Sequence, residues 1–569
     1  MEKTNQPIEL IIQTPSSSIQ SKSMNGDLSQ KLKSMGIDVE IISDEESNVF
    51  NKAKGIRGDE TKNRNVLVRT KARDTEINPW DMAYLSADAA GKSALYIEPD
   101  ILNEFVVDRK VDSPADKLNP KTFGSGRSSD NFDPDWHPNS NVIWHLGDTY
   151  SQLKSARDAV ADNAYTVRIG HLDTGYSSTH FAIPDSIRKN KLQRNFVKGE
   201  NPKDAHDPFK EGFLKQPGHG TGTLGLLAGG KVNLATANGT FSDYLGGAYF
   251  ADVICCRVSE SVILFKTSAF ADALNYLTQL SLAGTQVHVV SMSMGGAPSR
   301  IWADAVNAAY EAGIFVVTAA GNNFAGLPTR HVIYPARFGR VTAACGVTYD
   351  FKPYFTSKLD EMQGCFGPKK NMLKALSAFT PNTPWASVES GTVRFSGAGT
   401  SSATPQVAAA AAIYYKKYHA ELDKLLPWKR VEAIRNALYL SALKKVPDPT
   451  YNTDFVRYFG NGILQAAEAL KYPVASNLKK TPEDEMPWFP ILNTIFKTVP
   501  DTQQKSKLDM FNTELAQLIY YSPELRGIIN GDEANYTKLG PKKWAKFKDA
   551  VISNPSTSVT LRKYLMDNK

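Results

Sequence analysis

Cysteine is scarce in this chain: Cys255, Cys256, Cys345 and Cys365 are the four among 569 residues. Their spacing fits neither a small-domain disulfide framework nor a metal site. Three of them lie in apolar, strand-like runs, where a buried thiol is expected. Adjacent Cys255 and Cys256 are expected on opposite sides of one strand. Long apolar runs are missing too. No stretch of about 18 apolar residues occurs, which excludes a helical membrane span. Ile8 to Ile12 is too short for the apolar part of a secretory signal, and little positive charge precedes it. The expectation is therefore a protein made and kept in the cytoplasm. A dominant charge is also absent. Lys and Arg number 66 against 59 Asp and Glu, and the resulting +7 is spread along the chain. Neither nucleic acid nor a membrane surface is expected as a partner.

The length allows two or three domains, and the patterning divides the chain into four stretches. Residues 1–107 carry strand candidates at Glu9–Ile12, Ile37–Ile42, Asn65–Arg69 and Leu95–Pro99. Helical spacing of Leu28, Leu32 and Met35 and a helix opening at Pro79, with Asn78 as its cap, fall between them. That succession predicts a ferredoxin-like α+β domain. Residues 108–136 turn polar and rich in Pro, Gly, Ser and Asp, which reads as a linker. Over 137–472, short apolar runs alternate with amphipathic helices. The runs are 166–170, 251–255, 287–291, 314–317 and 341–344, and they predict an α/β domain with a buried parallel sheet. In 473–569, Leu508, Phe511, Leu515, Leu518 and Ile519, then Trp544, Phe547 and Val551, recur at helical spacing. A helical extension is expected there, docked on the α/β domain or, less simply, reaching a protein partner.

Chemistry concentrates in four strings boxed by small residues. Asp173-Thr174-Gly175 follows a strand. Gly218-His219-Gly220-Thr221 precedes an apolar helical run. Ala319-Ala320-Gly321-Asn322 follows another strand. Gly399-Thr400-Ser401-Ser402-Ala403-Thr404-Pro405 leads into an alanine-rich helix. A serine hydroxyl needs a base within hydrogen-bond reach, and Ser401 at a helix N-terminus would have N–H groups aimed at an oxyanion. The glycines around His219 leave its imidazole unobstructed. An aspartate at a strand end can fix the tautomer of that base. The amide of Asn322 can donate to a developing oxyanion. Asp-Thr-Gly alone also suits an aspartic protease, but that chemistry needs two such carboxylates, and no second Asp-Thr-Gly or Asp-Ser-Gly occurs. Pro405 is expected in the first turn of the helix.

In these four strings the chain resembles the subtilisin-like serine proteases, the subtilase or peptidase S8 family, over roughly 136–472. The resemblance implies a serine endopeptidase acting through an acyl-enzyme, with Asp173, His219 and Ser401 as triad. Asn322 and the Ser401 N–H would form the oxyanion hole, and Thr400 would support it. Ser293-Met294-Gly295-Gly296 matches the family segment beside which extended substrate adds as a strand. Tyr334-Pro335 matches a family dipeptide that places Ile333 near the floor of the S1 pocket. An isoleucine there, with no nearby acid in the sequence, predicts apolar P1 residues such as Leu, Met or Ala. Residues 1–107 resemble the family's propeptide, with a junction somewhere in 102–135; a stable, uncleaved accessory domain is the alternative. No cofactor is required for the chemistry. Structural calcium stays open, with Asp185 and Asp243 as the carboxylates to consider. Family members often read Gly-His-Gly-Thr-His-Val-Ala-Gly where this chain has Gly222-Thr223-Leu224-Gly225 after Thr221. The loop 231–247 is longer than the usual calcium loop, and the charged stretch 190–215 could gate access to His219. Two competing readings remain: a binding module that has lost catalysis, which the complete triad opposes, and a protease held latent by its amino-terminal domain or activated by a partner.

Overall fold

The computed structural model describes residues 7–15, 30–46, 63–72, 76–91, 94–103, 141–210, 216–236, 239–262, 265–324, 329–355, 362–388, 391–492, 502–529 and 539–567. The expected linker, the boundary at 137 and Leu28 lie outside them.

Four antiparallel strands form the amino-terminal sheet: β1 (Ile8–Pro15), β2 (Ile37–Glu46), β3 (Asn63–Ala72) and β4 (Tyr96–Pro99), in the order β2-β3-β1-β4. This is the expected ferredoxin-like order. Residues 30–34 are helical, and α1 (Pro79–Ala90) begins where Asn78 accepts a hydrogen bond from the Trp80 N–H. Alternation along β1 serves two cores. Ile8, Leu10 and Ile12 face the helices of this unit, and Ile11 on the other face enters the core of the large domain.

The large domain is built on seven parallel strands: β5 (Arg168–Asp173), β6 (Arg194–Asn195), β7 (Asp252–Arg257), β8 (Val289–Met292), β9 (Phe315–Ala319), β10 (Val341–Val347) and β11 (Ala375–Phe379). Their order is β11-β10-β9-β8-β5-β7-β6, and every neighbouring pair is parallel. One face packs on α2 (His219–Ala228) and α5 (Gly399–Leu422). The other packs on α3 (Thr267–Leu282) and α4 (Arg300–Glu311). The cysteine expectation is met: all four are buried, with Cys255 in one core and Cys256 in the other. Within the expected long loop 231–247 the chain forms a hairpin, Lys231–Thr236 with Gly239–Tyr244.

The carboxyl-terminal helices α6 (Thr502–Tyr521), α7 (Pro541–Ser553) and α8 (Val559–Asp567) pack chiefly against the amino-terminal domain. Trp80 and Tyr84 of α1 share a single core with Phe511, Leu515, Phe547 and Leu561. Buried polar contacts fix the register of this docking. The Trp80 indole donates to Gln517 (2.9 Å), Tyr84 to Glu514 (2.8 Å), and Tyr96 to Thr513 (2.9 Å). Asp81 caps α8 by accepting from the N–H groups of Val559 (2.8 Å) and Thr560 (2.9 Å). Contact with the large domain is narrower and polar, as in Gln517 to the Pro298 carbonyl and Arg300 to Asp509, both 2.9 Å.

The amino-terminal domain in turn caps two helices of the large domain. Asp100 accepts from the N–H and the hydroxyl of Ser268 at the start of α3, each at 2.8 Å. Glu98 accepts from the Arg300 N–H (3.1 Å) and the Ser299 hydroxyl at the start of α4. Carboxylates at helix N-termini satisfy free N–H groups and oppose the positive end of the dipole. Leu102–Asn103 then pairs antiparallel with Phe265–Lys266.

Candidate active site

The carboxyl edge of the large sheet gathers the candidate residues, where open α/β sheets hold their sites. Asp173 is the last residue of β5, Ser293 follows the neighbouring β8, and Asn322 lies just beyond β9. The N-terminal turn of α5 lies over this edge and carries Ser401 as its third residue. Its N–H is thus among those without a partner inside the helix.

His219 opens α2, and its Nδ1 lies 2.8 Å from Asp173 Oδ1. The helix can approach β5 this closely because residue 220 is glycine: a Cβ there would sit 2.0 Å from the Gly175 carbonyl oxygen. The fully buried Asp173 also accepts from the Thr174 N–H (2.8 Å) and the Thr223 hydroxyl (3.0 Å). Burial opposes the Asp173 charge. The charge and hydrogen bond of His219, helped by the Thr174 N–H, outweigh it and hold the carboxyl below its usual range.

Ser401 is buried, and its hydroxyl donates to the Ser293 carbonyl at 3.3 Å. The reverse contact also forms: the Ser293 hydroxyl donates to the Ser401 carbonyl at 3.0 Å. The reason is Pro405. The expectation of a first-turn proline is corrected, because α5 starts at Gly399 and Pro405 lies inside it. Proline has no N–H, so the carbonyl four residues earlier, that of Ser401, is released from the helix ladder and Ser293 satisfies it. The Asn322 side-chain carbonyl accepts from the Thr400 N–H (2.9 Å) and hydroxyl (3.2 Å), leaving the Nδ2 hydrogens for another acceptor. Thr400 Oγ also exchanges hydrogen bonds with the Gly321 backbone, at 3.1 and 3.2 Å. Gly399 adopts φ +72°, and a Cβ there would meet Asn322 Nδ2 at 2.8 Å, so glycine is needed on both counts.

A sequence profile described as the subtilase family, peptidase S8, matches residues 165–462. The chain belongs to the subtilase family. It is a serine endopeptidase of that family, a hydrolase. Subtilisin DY of Bacillus licheniformis is 27% identical over 307 residues, 53% of this chain and 90% of that protein. Subtilisin Savinase of Lederbergia lenta is 28% identical over 309 residues, 54% of this chain and 91% of that protein. The subtilisin-like serine protease Pen c 2 of Penicillium citrinum is 27% identical over 255 residues, 41% of this chain and 49% of that protein.

The other expected subtilase residues fall as follows. Gly296 pairs with Tyr334 through hydrogen bonds of 2.8 and 3.3 Å. The Met294 side chain is buried in the core beside α3 and α4, so what it can offer a substrate is backbone. Half-buried Ile333 packs between Gly295 and Gly321: a Cβ on either glycine would meet Ile333 Cδ1, at 2.7 and 2.9 Å. The two carboxylates considered for calcium are engaged with cations. Asp185 pairs with Arg188 (2.9 Å) and Lys189 (3.0 Å), and Asp243 with Arg157 (3.1 Å).

Three contributors carry no local signal as site residues. Trp385 sits on the hairpin Thr383–Ser387/Thr392–Gly397 and meets the His219 ring edge to face, centroids 5.5 Å apart. Gly222 is covered by this indole: a Cβ there would lie 1.8 Å from Trp385 Cε2. Asp207, in the described part of the charged stretch 190–215, accepts from the N–H of Gly218 (2.8 Å) and the hydroxyl of Thr174 (3.1 Å). It thereby ties that stretch to both sides of the Asp173–His219 pair. His171, fully enclosed in β5, has Nε2 2.9 Å from Thr223 Oγ. Among the described residues, no helix is long and apolar enough to cross a membrane.

Proposed function

We propose that Asp173, His219 and Ser401 are the triad of this endopeptidase and that Asn322 and the Ser401 N–H are its oxyanion hole. The observation that carries the reading is the 2.8 Å bond between Asp173 and His219 Nδ1, which leaves Nε2 to act as base. The Ser401 hydroxyl turns from the Ser293 carbonyl to His219 Nε2, gives up its proton and attacks the peptide carbonyl. Negative charge then develops on the carbonyl oxygen, where Asn322 Nδ2 donates. His219 passes the proton to the leaving amine, and water releases the acyl group by the same route reversed. Thr400 holds the Asn322 amide in its donating orientation. Extended substrate lies along Ser293-Met294-Gly295-Gly296. Ile333, wedged between two glycines, makes a short apolar S1 wall and supports a preference for Leu, Met or Ala at P1. The test compares the full-length protein with Ser401→Ala and Asn322→Ala on an apolar-P1 peptide. Ser401→Ala abolishes turnover. Asn322→Ala lowers kcat by about 100- to 1000-fold, the magnitude measured for this donor in a subtilisin. Retained cleavage in Ser401→Ala sinks the assignment.

A second reading is latency. It is favoured by the strand that Leu102–Asn103 adds to Phe265–Lys266, which directs the amino-terminal domain's chain into the large domain. The same proteins test it through intact mass. A latent enzyme cuts peptide only once an amino-terminal piece has been lost. Cutting by the intact chain overturns it.

A further inference from the structure

One buried titratable group beside the site has no part in the reaction as derived above. We propose that His171 and Thr223 are positioning residues for Asp173, forming a hydrogen-bond chain from His171 Nε2–H to Thr223 Oγ–H to Asp173 Oδ2. The inference rests on the triad assignment above.

The Thr223 hydroxyl has a single hydrogen and three acceptors in reach: Asp173 Oδ2 at 3.0 Å, and the carbonyls of His219 and Gly220, both at 3.3 Å. Left alone, a threonine in a helix also bonds back to the carbonyl four residues earlier, here that of His219. A donor arriving at Thr223 Oγ occupies a lone pair and leaves the hydrogen for the strongest acceptor, the carboxylate. His171 Nε2 at 2.9 Å is that donor. It must carry its proton on Nε2 to do so, and burial keeps the ring neutral, pushing its pKa down to about 4. A neutral His171 also adds no second cation beside Asp173, whose Oδ2 is 4.0 Å from Nε2. With Oδ2 held by Thr223 and Oδ1 by the Thr174 N–H, the carboxylate plane is fixed for His219.

Thr223→Val removes the donor at nearly constant volume, and Thr223→Ser restores it. The readouts are kcat and KM on the apolar-P1 peptide, the pH profile of kcat, Tm, and the His171 tautomer by 15N NMR in the Ser401→Ala protein. Thr223→Val is expected to lower kcat about 10-fold with KM within twofold, because orientation of the base is lost and substrate contacts are not. The acid limb moves to higher pH, since a carboxylate relieved of one donor stabilises an imidazolium more strongly. Thr223→Ser returns both towards wild type, and His171 shows a proton on Nε2. Wild-type kinetics in Thr223→Val, a kcat loss that Ser does not rescue, or a proton on Nδ1 of His171 overturns the proposal. Turnover by the Ser401→Ala protein would overturn the triad assignment itself, so the two failures are distinct.

Discussion

Gly222 shows how much a site can depend on a missing side chain. Its absent Cβ is the space that the Trp385 indole fills, and Trp385 forms one wall of the His219 imidazole. Gly222→Ala is expected to displace the indole, lower kcat by roughly 10-fold or more, and reduce Tm by several degrees, since overpacking a closed contact costs on the order of 1–3 kcal/mol. Kinetics and thermal melts on that variant check this; an unchanged enzyme would mean that Trp385 gives way freely. At this scale the small-residue frames around Asp173, His219, Asn322 and Ser401 singled out in the sequence four residues that the fold brings to one edge of the sheet. The sequence was silent on Trp385, Asp207 and His171, because each reaches the site from an element whose local pattern says nothing of what it will face. Ser293 was visible as part of a substrate segment, but its bond to the Ser401 carbonyl was not, since that follows from where the helix starts.

The helix α5 illustrates the element scale. Its first two turns are not a regular ladder, because Pro405 leaves the Ser401 carbonyl to an outside donor. Ser293→Ala strands that buried carbonyl. A buried acceptor left unsatisfied costs about 1–3 kcal/mol, so a loss of that size is expected in chemical denaturation, together with a fall in kcat as the Ser401 turn loosens. Pro405→Ala in the same background supplies an N–H within the helix and should recover part of the stability; recovery of none would place the cost elsewhere. Elements with strong periodicity were legible before the structure, including five strands of the large sheet and helices α3, α4, α6 and α7. β11 was not, because Ala-Leu-Ser-Ala-Phe is buried at every position and its small residues give no alternation. β6, two residues long, offers no pattern at all.

Across the whole molecule, Glu98 joins the amino-terminal domain to the large one from a fully buried position. Burial pushes its pKa up from 4.5 to about 7, against the bonds from Ser299, Arg300 N–H and Tyr96 that favour the anion. Between those values the folded protein holds a proton that the unfolded chain releases. Its contribution to stability is therefore complete below about pH 4.5 and is lost as pH rises through 7. Glu98→Gln carries no such charge, so its Tm relative to wild type should rise between about pH 5 and about pH 8. A difference that stays constant with pH would show that the carboxylate is equally comfortable in both states. The sequence disclosed the ferredoxin-like plan and the helices at the other end of the chain, yet not that the two belong together. Apolar periodicity tells that a face is covered, and is silent on what covers it.

That shared core also orders events during synthesis. The residues of its polar contacts lie between 417 and 479 positions apart along the chain, from Tyr96–Thr513 to Asp81–Thr560. When the amino-terminal strands leave the ribosome, the helices that complete their core have yet to be translated. The large domain emerges in the interval, so the unit that caps α3 and α4 is finished after the domain it rests on. Ribosome stalling at successive lengths beyond residue 472 would record protease resistance of the large domain appearing before that of residues 8–97.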